Sequence, residues 1–113
     1  MRHRKKTKIG PKRDQARRLM RTMASSFLLY EHVETTAKKG KLLKSVVEKL
    51  ISKGRTADLH KKRQLFSLLQ VNAARKVFEV LGPKYKDRKG GYTRLYNLGK
   101  YKDGTAKVRL ELV

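Results

Sequence analysis

Two clusters in this sequence pair cations with residue types that bind phosphate or stack on bases. From Lys84 to Arg94, Tyr85 and Tyr92 are interleaved with Lys84, Lys86, Arg88, Lys89 and Arg94 around Gly90-Gly91. Paired glycines let a backbone approach a ligand closely and take positive φ. Tyrosine rings stack on unpaired bases, and Lys and Arg hold phosphates. Four of the five tyrosines lie between Tyr85 and Tyr101, a clustering that favours RNA or single strands over smooth duplex DNA. The plainer alternative is a loop whose tyrosines pack on the strand that follows.

The second cluster is amino-terminal. Residues 1–22 hold ten Lys or Arg against one acid, Asp14. Arg2, Arg4, Lys5, Lys6 and Lys8, with His3 among them, fall in a stretch with almost nothing apolar to bury, so residues 1–10 read as an arm that stays disordered until RNA binds it. Lys12 follows, and then Arg13, Arg17 and Arg21 recur at spacing of four with Arg18 beside them. Each phosphate neutralised by such residues releases counterions, a sequence-independent gain that salt erodes. A mitochondrial presequence would be richer in Ser and poorer in Lys.

Catalytic constellations are missing from the sequence. The nine carboxylates are scattered, and only Glu31 and Glu34 lie close together. On a strand, a spacing of three puts those two on opposite faces. His3, His32 and His60 lack metal-ligand spacing, there is no Cys, and Gly90-Gly91 does not fit a phosphate-cradling loop. No enzyme, metal, cofactor or small-molecule substrate is expected. The longest apolar run is four residues, Phe27 to Tyr30, too short to span a bilayer. The net charge of +22, against roughly 2 to 8 for an ordinary small domain, demands an anionic partner.

The positioning elements follow from periodicity. Ala16, Leu19, Met20, Met23, Phe27 and Tyr30 mark a helix that starts near Pro11, with the arginines on another face. Glu31 to Thr35 reads as a strand. Thr36 caps a helix from Ala37 to Lys53, which Gly54 ends, with Lys38, Lys41, Lys44 and Lys49 around its apolar stripe. Asp58 caps a third helix to Gln70, and Asn72 a fourth that Gly82-Pro83 stops. Tyr92 to Leu98 and Ala106 to Leu112 alternate as strands joined by an Asp103-Gly104 turn. The expectation is an α+β domain over residues 11–113, with about four helices packed on a small mixed three-stranded sheet and preceded by the basic extension.

Several segments together resemble a known family. Met1-Arg2-His3-Arg4-Lys5, Val46-Val47-Glu48-Lys49-Leu50-Ile51, Leu81-Gly82-Pro83-Lys84-Tyr85, Gly90-Gly91-Tyr92-Thr93-Arg94 and Leu110-Glu111-Leu112-Val113 look like bacterial large-subunit ribosomal protein seventeen, in the same order along essentially the whole chain. Gly40, where helix formers are usual, and the Lys-rich stretch from Leu98 to Lys107 depart from its pattern. The resemblance implies a structural component of the large ribosomal subunit, bound to its ribosomal RNA near the nascent-chain exit tunnel, beside neighbouring large-subunit proteins in the cytoplasm rather than in an organelle. It maps the family's basic amino terminus onto Arg2, His3, Arg4 and Lys5, and its glycine-tyrosine loop onto Gly90, Gly91, Tyr92 and Arg94. A nucleoid-type DNA-compacting protein is the rival reading, although no repeat or heptad supports one.

Overall fold

The computed structural model describes residues 13–56 and 58–113; the arm assigned to residues 1–10, and Lys12, lie outside them. In chain order the elements are α1 (Arg13–Tyr30), β1 (His32–Thr36), α2 (Ala37–Arg55), α3 (Leu59–Leu68), α4 (Val71–Lys76), a π-helical turn (Val77–Leu81), α5 (Gly82–Lys84), β2 (Thr93–Lys100) and β3 (Ala106–Leu112). This is the α+β class that the periodicity indicates. None of these helices is long and apolar enough to cross a membrane.

The sheet is antiparallel throughout, in order β1-β3-β2, rather than mixed. The carboxy-terminal strand slots between the other two, so β1 and β2 run in the same sense but never pair. Val108 and Leu110 of β3 point into the core, while Lys107, Arg109 and Glu111 alternate outward and remain half-buried. On that outer face Glu34 pairs with Lys107 at 3.5 Å and Arg109 at 3.6 Å, and Arg109 with Glu111 at 3.1 Å.

Helix α2 lies across the inner face, and Gly40 explains how closely. A Cβ at Gly40 would sit 2.7 Å from Val108 Cγ2 and 3.3 Å from Leu95 Cδ1. The glycine that looks like a weakness in the helix is the point where helix meets sheet. Phe27, Leu28, Leu43, Ile51, Leu65 and Leu110 are fully buried in the same core.

Glycine also accounts for two boundary corrections. Gly54 does not end α2; it is buried within the helix, which runs on to Arg55. Nor do Gly82 and Pro83 stop the fourth helix. The π turn carries the chain through, with Gly82 N–H donating to the Val77 carbonyl five residues back, and Pro83, which has no N–H, falls in the first turn of α5 where none is required. Gly54 and Gly82 face each other: a Cβ on Gly82 would strike the Gly54 carbonyl oxygen, and one on Gly54 would lie 2.9 Å from the Val77 carbonyl oxygen. Their bare backbones let the two helices touch.

The caps divide. Thr36 Oγ1 accepts from Lys39 N–H at 3.4 Å, and Asp58 Oδ1 from Lys61 N–H at 2.9 Å, as their residue types suggest. Asn72 caps nothing; Gln70 precedes α4 without a side-chain cap of its own. Its N–H instead donates to the buried Ser25 Oγ of α1 at 3.1 Å. That partner is 45 residues away in sequence, beyond the reach of any local pattern.

Candidate nucleic-acid interface

Arg13, Arg17, Arg18 and Arg21 are exposed on α1, because its apolar positions turn Ala24, Phe27 and Leu28 into the core. Arg21 Nη2 donates to the Leu69 carbonyl at 3.3 Å, which orients its guanidinium across the start of the α3–α4 connection. Facing this row, α2 presents Lys49 and Lys53, again at spacing of four. Between the rows runs a cleft of about 520 Å³ with an apolar floor of Met20, Ala24, Val46, Leu50 and Leu68. Arg17, Arg18, Arg21, Lys49 and Lys53 rim it, and among the described residues no carboxylate lines it. None of these five cations is ion-paired among the described residues. Opposed rows of unpaired cations concentrate positive potential along the cleft.

The Lys84–Arg94 segment is built differently from the stacking platform its composition suggests. Tyr92 is 1% exposed and Tyr85 4%, with ring centroids 5.2 Å apart, so neither ring can stack on a base. Tyr92 Oη accepts from Arg55 Nη1 at 3.0 Å and donates to the Arg88 carbonyl at 3.1 Å. Arg55 Nη2 donates to the Lys86 carbonyl at 3.0 Å. Tyr85 Oη donates to the Val113 carbonyl at 2.7 Å, tying down the carboxyl terminus. The tyrosines are the loop's frame, an arrangement closer to the plainer reading.

Lys84, Arg88, Lys89, Gly90 and Gly91 remain exposed on that frame. Gly91 has φ +63°, the left-handed conformation that glycine accepts readily. Arg94 departs from the group. It stands on the outer face of β2, in register with Glu111, whose carboxyl is held below its ordinary value first by the Arg109 hydrogen bond and then by Tyr96. Arg94 therefore belongs to a sheet face of mixed charge, apart from the α1 arginines.

The carboxy-terminal turn of α2 connects the two cation clusters: Lys53 rims the cleft, and two residues on Arg55 holds the loop. Lys49 and Lys53 escape sequence reasoning because lysines around an apolar stripe read as a solvated face. The shared spacing of four on α1 and α2 is the one available signal, and it acquires meaning only once the helices pack. Arg2, His3, Arg4, Lys5, Lys6, Lys8 and Lys12 lie outside the described residues.

Comparison with known proteins fits this cation-rich surface. The sequence model of the family described as ribosomal protein L17 matches residues 19–113. The chain belongs to the ribosomal protein L17 family. Large ribosomal subunit protein bL17 of Thermoanaerobacter sp. (strain X514) is 41% identical over 108 residues, covering 94% of this chain and 96% of that protein. The bL17 protein of Clostridium acetobutylicum is 40% identical over 108 residues, covering 94% and 95%, and that of Caldanaerobacter subterraneus is 38% identical over 108 residues, covering 94% and 96%. The resemblance carried by Val46–Ile51, Leu81–Tyr85 and Gly90–Arg94 is borne out. As an L17 protein this chain is a large-subunit ribosomal protein of bacterial type, a structural component and not an enzyme.

Proposed function

We propose that this protein binds and stabilises large-subunit ribosomal RNA near the nascent-chain exit tunnel, in the cytoplasm, among neighbouring large-subunit proteins. The observation that carries the reading is the carboxylate-free cleft rim, Arg17, Arg18 and Arg21 opposite Lys49 and Lys53, in a chain of net charge +22. Phosphate contacts come from Arg13, Arg17, Arg18 and Arg21 on α1, and from Lys84, Arg88 and Lys89 around Gly90 and Gly91. Residues 1–10 extend the α1 row as an arm that orders on the RNA, with Arg2, His3, Arg4, Lys5, Lys6 and Lys8 as contacts and Lys12 at its base. Arg and Lys offset phosphate repulsion, so that RNA segments can approach one another around the folded part. Tyr92 serves by holding the loop and leaves the direct contacts to the cations.

Gradient sedimentation of cell extract tests this. The protein is expected to remain with the large-subunit peak at moderate salt. Release from that peak with recovery on chromosomal DNA would overturn the reading in favour of a DNA-compacting protein.

A further inference from the structure

The cleft between α1, α2 and α3 has a property that phosphate binding alone leaves unused, namely its apolar floor. A duplex presents phosphates and ribose edges to a protein surface, and these cover Met20, Val46, Leu50 and Leu68 with far less apolar area than the face of a base does. An occupant that uses both features joins an anionic backbone to a flat, weakly polar body. We infer that the cleft receives one or two nucleotides of RNA whose bases are unstacked from their helix, an inference that rests on the RNA-binding reading. The bases lie on the aliphatic floor and against the arginine planes, and their phosphates meet the cation rows.

Three observations support this occupant. The volume of about 520 Å³ falls within the roughly 300 to 1,000 Å³ typical of concave sites that enclose a small organic body. Met20, Val46 and Leu68, none of them fully buried, supply the accessible apolar surface, whereas Ala24 and Leu50 lie beneath it at 1% and 4% exposure. Arg21 lines the cleft and donates to the Leu69 carbonyl at 3.3 Å, and a guanidinium plane is one of the surfaces on which splayed bases stack.

An acidic amphipathic helix of a neighbouring protein would satisfy the same charges. From Arg17 to Ala24 the α1 wall is only about 10 Å long at 1.5 Å per residue, two turns, whereas helices commonly run three to four turns. The nucleotide fits the cleft's length better.

A photoreactive benzophenone amino acid substituted at Leu68, which lines the cleft and is 45% exposed, tests the occupant in reconstituted large subunits. The expected result is a crosslink to RNA that maps to one or two unpaired nucleotides. A crosslink only to protein, only to duplex nucleotides, or to nothing would overturn the inference. In parallel, full-length protein carrying Leu68→Gln and Val46→Thr is titrated with large-subunit RNA. Affinity should fall about five- to tenfold from the lost apolar contact, with the salt slope unchanged and the fold intact by circular dichroism. If the unsubstituted protein shows no salt-dependent RNA affinity, the RNA-binding reading itself fails. If it binds and the variant binds equally well, only the cleft inference fails.

Discussion

Gly40 and Tyr92 show how one residue's role follows from what surrounds it. In an isolated helix Gly40→Ala would gain about 1 kcal/mol of propensity. Here the added methyl meets Val108 Cγ2 at 2.7 Å, a β-branched side chain with little χ1 freedom on the central strand, and overpacking costs about 1 to 3 kcal/mol. The melting temperature of Gly40→Ala should therefore fall; a rise would mean that Val108 turns aside without cost. Tyr92→Phe strips the hydroxyl that joins Arg55 to the Arg88 carbonyl, and Arg55 already has its buried Nε without a partner. Stability should drop by about 1 to 3 kcal/mol in denaturant titration while RNA affinity of the folded protein holds. A selective loss of affinity would restore Tyr92 as a contact residue.

Among the elements, the α3 cap and the β2–β3 turn share a carboxylate chemistry that responds to acid. The Lys61 N–H bond holds Asp58 below its ordinary value of 3.8, and the Thr105 N–H bond holds Asp103 below the same value. Glu111 lies below its ordinary 4.5, with the Arg109 bond as the largest cause. Groups depressed in the folded state contribute stability that is fully present above these ordinary values and is lost as pH falls through the lowered ones. Thermal melts should stay flat down to about pH 5 and then decline. Protonation also worsens the repulsion of a +22 chain, so the variants Asp58→Ala and Asp103→Ala, which remove the acceptors, separate the two causes. Both should melt lower at neutral pH and lose less on acidification; an acid decline as steep as that of the unsubstituted protein would exclude these bonds as its source.

For the whole molecule, charge decides affinity and packing decides stability, and the two come apart in solution. Removing Arg13 and Arg17 together, as Arg13→Gln with Arg17→Gln, should shallow the slope of log affinity against log salt by about 0.7 to 0.9 per lost phosphate contact. The melting temperature should barely change, since both side chains are exposed. An unaltered slope in filter-binding titrations across salt would remove α1 from the interface. Deleting residues 1–9 should weaken RNA binding and flatten its salt dependence in the same way. A large fall in melting temperature on that deletion would show that the arm belongs to the fold instead.

The α+β class, the helix over Arg13–Tyr30, the caps at Thr36 and Asp58, the alternation in β3 and the cation row on α1 were all legible from sequence. Each arises from neighbours within a turn or two, where periodicity and local hydrogen bonding act. Tyr92 could not be placed that way, because a tyrosine between cations suits a base-stacking surface as well as a core, and only the arrival of Arg55 and Tyr85 fills the space around it. Gly40, Gly54 and Gly82 looked like interruptions until the sheet and the second helix came within reach of their missing side chains. Strand order is also non-local, since His32 of β1 pairs with Glu111 of β3, far along the chain. Composition and periodicity suffice to establish a dense, one-signed charge on a small α+β scaffold. The tertiary structure decided which cations face one another across a cleft, because opposing faces of two helices have no common coordinate until they pack.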